Sequence, residues 1–216
     1  MKRILTLLLK AFGIAVLGAP SAHAATQYVT VDAYVSRAFG VGAGEAQLST
    51  EGGRQPKDAV FGIAYGRDSG NRHAFVFVLR REPNGRLTEV ARSKAFDFSD
   101  PSGRTDIEGV QAQSDETFSV QINSRSVCGV YVNKYRFARR GGMWKVVGLD
   151  STKPTCGKNG EVQVAATRSS NFLTGRVVET EFSEDRETSD RADHVQFPSF
   201  PLSEFDPWDD RYAARY

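Results

Sequence analysis

The 216-residue chain has only two cysteines and three histidines. That is too few for a disulfide-dense mini-scaffold or a four-cysteine zinc site. Histidine catalysis is equally short of material. His23 lies in an N-terminal leader, which leaves His73 and His194, and no G-x-S-x-G elbow presents a serine to either. Long hydrophobic runs are missing as well. The longest apolar stretch, residues 4–17, is interrupted by Thr6, Lys10 and Gly13. It falls short of the roughly 20 residues that a membrane helix needs. Proline is sparse until the end, where Pro198, Pro201 and Pro207 cluster. With 40% hydrophobic and 25% charged residues, the composition is that of an ordinary globular protein, neither collagen-like nor disordered.

The N-terminal apolar stretch reads as a secretory leader. Met1-Lys2-Arg3 supplies a positive start, and Gly18-Ala19-Pro20 ends any helix. Ala22-His23-Ala24 places small residues where a signal peptidase cuts. Residues 1–24 are therefore expected to be removed as a signal peptide, sending the mature chain to the periplasm or the medium with no stable membrane span. Cleavage takes Lys2, Arg3 and Lys10 and no acid, leaving 25 bases against 26 acids. The basic pI of about 8.5 thus belongs to the discarded segment. What remains has no concentrated basic stripe, so no nucleic-acid partner is expected. Residues 25–182 are mildly basic, and residues 183–216 carry nine acids against four arginines.

The body reads as strands. Residues 28–35 (YVTVDAYV) are β-branched and aromatic, residues 59–65 form a short apolar run, and residues 73–79 (HAFVFVL) predict a strand covered on both faces. Asp68-Ser69-Gly70-Asn71 and Pro83-Asn84-Gly85 supply turn chemistry. Residues 107–112 and 117–123 make one hairpin. Residues 127–138 and 143–149 make a second, around Arg139-Arg140-Gly141-Gly142, and residues 174–182 close the body. Apolar periods of 3.6 are rare. The fold class expected is mostly β, with antiparallel sheets in a partial propeller or a sandwich. It forms a single domain over residues 25–182, flanked by the signal helix and an irregular tail.

The tail has two parts. Residues 183–193 are charged and poor in apolar side chains, the composition of a solvated, disordered linker. Beyond them come Phe197, Phe200, Phe205, Trp208 and Tyr212, interleaved with proline. Two readings stay open. The aromatics fold back onto an apolar groove of the body, or they form a linear motif that docks an envelope protein, with aromatics as anchors and acids as steering charge.

Cys128 and Cys156 meet in an oxidising compartment, where pairing is the default. If residues 139–142 form the hairpin turn, Phe137 lies opposite about Trp144, and Cys128 faces a residue near 153. The strands then bring both sulfurs into one neighbourhood. The disulfide would close a loop of about 28 residues and contribute about 3 kcal/mol by loop entropy.

Groups that could carry catalysis are few. Asp97, Asp100, Asp106 and Glu108 bracket a polar loop, and a hydrolase acting on polysaccharide or peptide can be built from two such acids. Their spacing alone singles out no pair, so no catalytic residue is assigned. Gly40-Val41-Gly42-Ala43-Gly44 lacks the Lys-Ser/Thr of a phosphate loop. A small-ligand carrier would need an apolar cavity of roughly 300 Å³ or more. No cofactor and no metal are expected, and the sequence leaves the oligomeric state open.

Tyr135-Arg136-Phe137, then Gly142-Met143-Trp144-Lys145-Val146-Val147-Gly148-Leu149-Asp150, precede Asn171-Phe172-Leu173-Thr174-Gly175. This order resembles bacterial envelope proteins whose β-rich domain is similar to half of an FG-GAP/VCBS-type propeller. In those, a Y-R-F/Y…G-x-W-x-L/V-I/V-G-x-D hairpin leads to N-Y/F-L-T-G. The resemblance covers about residues 58–182. It implies a propeller-like arrangement and is nearly silent on activity. Where that family has a D-x-D-x-D-G calcium loop, residues 66–72 offer one acid and two arginines, so calcium is not assigned. The function expected is that of an exported binding or protein-interaction module.

Overall fold

The computed structural model describes residues 26–39, 45–49, 57–68, 71–97, 105–183 and 186–212. The expected leader, the glycine-rich stretch 40–44 and Asp100 lie outside the described residues. The strands make two antiparallel sheets. The first contains β1 (Gln27–Tyr28), β2 (Glu45–Leu48), β3 (Ala59–Asp68), β4 (Asn71–Arg81), β5 (Leu87–Arg92) and β6 (Phe96–Asp97). Their order is β1-β5-β4-β3-β2, with β6 pairing β4 where β5 has left it.

The second sheet is a meander in chain order. It comprises β7 (Thr105–Ser114), β8 (Thr117–Ser126), β9 (Gly129–Arg140), β10 (Met143–Cys156), β11 (Val162–Asn171), β12 (Arg176–Ser183) and β13 (Arg186–His194). A two-residue β14 (Phe200–Pro201) pairs with β10 short of the point where β11 begins. The described residues form no closed barrel. The mostly β, antiparallel expectation holds, in the form of a sandwich.

Burial explains the pattern. The middle of β4, Ala74 to Leu79, is apolar without interruption because both its faces are covered. Ala74, Val76 and Val78 join the core between the sheets, whereas Phe75, Phe77 and Leu79 join a second cluster on the outer face of the first sheet. Between the sheets, the rings of Phe61, Phe118 and Phe137 stack with centroids 4.6 Å apart at each step, and Trp144 closes the cluster edge-on to Phe61. Such packing fixes the facing of both sheets more tightly than area burial alone.

The second cluster corrects one expectation. Residues 28–35 are not a strand: β1 ends at Tyr28, and helix α1 spans Val31–Phe39. Thr30 caps it, its Oγ1 accepting the Ala33 amide at 3.1 Å. Val31, Tyr34, Val35 and Ala38 recur at helical spacing and lay the helix over β4 and β5. β-branched content concealed that period.

The charged segment after Ser183 is the second correction. It is solvated as expected, yet it is a strand, β13, paired along β12 from Arg176↔His194 to Ser183↔Arg186. The polar interval after Leu149 is likewise ordered, as the outer half of β10 and all of β11.

The hairpin register differs too. Its turn is the tight Gly141-Gly142 pair, both at positive φ, so that Arg140 faces Met143 and Phe137 faces Val146 rather than Trp144. A bulge between Val146 and Gly148 then shifts the ladder by one residue. Extended to its end, the shifted register sets Cys156 directly opposite Cys128, where residue 153 had been expected.

Candidate binding surface

The aromatic tail is seated on its own domain. Phe200, Leu202, Phe205 and Tyr212 are buried, and Phe205 has no exposed surface at all. Its ring meets Phe96 of the first sheet at 5.7 Å and Tyr135 and Phe137 of the second at 5.1 and 5.0 Å. Phe205 therefore joins the two layers. Phe172 gathers Phe197, Phe200 and Tyr212 at 4.7 to 5.7 Å. Polar contacts fix the path: the Tyr135 hydroxyl donates to the Pro207 carbonyl at 2.7 Å, and Lys94 pairs with Asp206 at 3.2 Å. Burial pushes the Tyr135 and Tyr212 hydroxyls well above the ordinary tyrosine range. Bonds from Arg211 hold the Asp209 carboxyl low, with the Nη2 to Oδ2 contact at 2.6 Å.

The entry to the tail is built by the Asn171 to Gly175 turn. Asn171 Oδ1 accepts the amides of Leu173 and Thr174 at 3.0 and 3.1 Å. Gly175, at positive φ, lies against the Val195 carbonyl with no room for a Cβ. The glycine in Val147-Gly148-Leu149 has a similar reason. A Cβ there would lie 2.6 Å from Arg136 Nη2 and 2.8 Å from the Ser170 carbonyl, the two groups whose hydrogen bond crosses it.

Of the two readings of the tail, folding back is the arrangement observed. Phe200, Phe205 and Tyr212 have no surface to offer a partner in this state. Phe197 is half-buried, and Trp208 is 46% exposed while its indole N–H donates to the Asp97 carbonyl at 2.7 Å.

Beyond the reach of the first sheet, the far halves of β8 to β13 form an arm. The Cys128–Cys156 disulfide clamps its tip, with the Cα atoms 4.7 Å apart. Around the clamp the arm turns apolar side chains to solvent. Val127 is 88% and Val162 61% exposed, and Val130 and Tyr131 are partly so. A recess of about 530 Å³ lies at the same end of the arm, bordered by Cys156, Lys158, Glu161, Gln163 and Phe182. The sequence signal for this surface was available in Val127, Val130 and Val162 flanking the cysteines. It was unreadable without knowing that the fold leaves these side chains exposed.

Of the acids named from the sequence, the three that are described meet separate partners. Asp106 faces Arg125 at 3.6 Å, Glu108 accepts from Asn123 at 3.0 Å, and Asp97 offers its backbone to Trp208. A cleft of about 170 Å³ at one end of the sandwich has Trp144 in its wall and Asp58, Arg80, Asp115, Glu116 and Arg139 around it. It is smaller and more charged than a carrier's cavity. Among the described residues no cluster of three metal-ligating side chains occurs, and no helix is long and apolar enough to cross a membrane. Comparison with family models, with curated proteins and with solved structures finds no match to this chain.

Proposed function

We propose that the chain is an exported protein of the bacterial envelope, periplasmic or secreted, and that it acts by binding another protein. The observation that carries this reading is the arm: a disulfide-clamped end of a sheet that leaves Val127, Val130, Tyr131 and much of Val162 open to solvent. Exposed apolar groups on a pre-ordered backbone favour association because little conformational freedom remains to be lost. The disulfide and the leader-like N-terminus support an oxidising compartment. The propeller-family resemblance stands only as a sequence likeness and adds nothing to this assignment. The tail contributes chiefly as structure, with Trp208 as its exposed edge.

The test is affinity capture from an envelope fraction, using the mature protein and two variants, Val130→Asp with Val162→Asp in the arm and Trp208→Ala in the tail. Binding to the purified captured protein is then measured by calorimetry. The arm variant is expected to weaken binding at least tenfold with an unchanged circular dichroism spectrum. Equal affinity of the arm variant and the parent protein would refute the assignment.

A further inference from the structure

The second sheet ends on a bare strand. β13 is last in the strand order, and no described strand pairs with its outer edge. The opposite edge, β7, is met at Val110 by a parallel bridge from Ser49. Every side chain from Arg186 to Ala192 is exposed. Free edges are commonly blocked by charge, but the order of charges decides whom they block.

From Asp190 to His194 the order is acid, base, alanine, acid, imidazole. Residues facing each other in an antiparallel ladder share one hydrogen-bonding phase, so a strand pairing with its own copy is centred on a residue. Centring on Asp190, Arg191 or Asp193 sets that charge against itself. Centring on Ala192 places the smallest side chain at the two-fold axis. Arg191 then faces Asp193 of the second copy, Asp190 faces His194 of the second copy, and both contacts occur twice.

We propose that the β13 edge is a self-association surface on which two copies pair antiparallel about Ala192, joining their eight-stranded sheets. The proposal stands apart from the arm's role in binding another protein. Within one chain, Arg191 Nη2 already lies 2.7 Å from Asp193 Oδ2. Across the axis the two pairs form a square in which each guanidinium sits between two carboxylates. Five residues of edge bury far less than the roughly 1,000 Å² of a stable interface, so the dimer is weak, reversible and salt-sensitive.

Sedimentation velocity of the mature protein over a wide concentration range tests this. The parent protein is expected to shift from monomer to dimer as concentration rises, and less so in high salt. R191D sets acid against acid, and D193R sets base against base; each is expected to sediment as a monomer throughout. The double variant R191D/D193R restores opposite charges and is expected to recover the dimer. All four positions of the square are at the surface, and circular dichroism checks that each variant is folded. A parent protein that stays monomeric at every concentration overturns the proposal. So does a dimer that the single reversals leave intact, or a loss that the double variant fails to restore.

Discussion

The two halves of the second sheet share strands and a continuous ladder but are held in different ways. The inner half lies under the first sheet and the tail, where Phe118, Tyr135, Phe137, Trp144 and Val146 are all buried. The outer half contributes no residue to the two core clusters, and it is held by the ladder itself and by the cross-link between Cys128 and Cys156. Packing can hold one end of a strand while a covalent clamp holds the other, and the two ends then respond to different perturbations.

The largest expected effect breaks the packed half. Phe205→Ala removes the ring that touches Phe96, Tyr135 and Phe137, and is expected to cost about 3–5 kcal/mol. In thermal unfolding followed by near-UV circular dichroism this corresponds to a midpoint lower by roughly 10 °C. A shift of only a degree or two would mean that the tail covers the core without supporting it. Removing the clamp should act on the other half. Replacing Cys128 and Cys156 by serine is expected to cost about 3 kcal/mol by loop entropy. Hydrogen exchange should quicken beyond Val132, Thr152 and Ala166 while the amides of Phe118 to Ile122 keep their protection. Uniform acceleration would show that the halves unfold as one.

The smallest effect is alkaline. Burial raises the Tyr135 and Tyr212 hydroxyls above their ordinary value of 10.0. The folded state therefore favours their protonated form. That contribution is complete below pH 10 and is lost as pH rises from there towards the folded-state values. Unfolding midpoints should fall above about pH 10 in step with tyrosinate absorbance, and Tyr135→Phe should flatten the slope. An unchanged slope in that variant would exclude Tyr135 as its source.

The same contrast explains what the amino-acid sequence disclosed. β4 was legible because burial on both faces leaves an unbroken apolar run, and the hairpin around Gly141 and Gly142 because a two-residue turn demands glycine. β13 was hidden because a strand exposed along its length carries no period to read: Arg186 to His194 holds one apolar residue, Ala192. β11 was hidden because it is half-buried along most of its length, with no alternation. The α1 helix was masked by valine and tyrosine, which favour strands until a threonine cap and a sheet beneath settle the matter. The tail's aromatics advertised burial but not whose groove they would fill, since that groove is assembled from distant segments: Phe96 of β6, Tyr135 and Phe137 of β9, and Phe172 after β11. The disulfide was readable from compartment and hairpin, and the bulge at Val147 only moved Cys156 into line.

Tyr212 is among the last residues described, and in the buried core it stacks on Phe172 and meets Tyr135 edge-on. A growing polypeptide on the ribosome has no roof for those rings until residues 197–212 have emerged. Compaction of the inner half is thereby deferred until that segment is available.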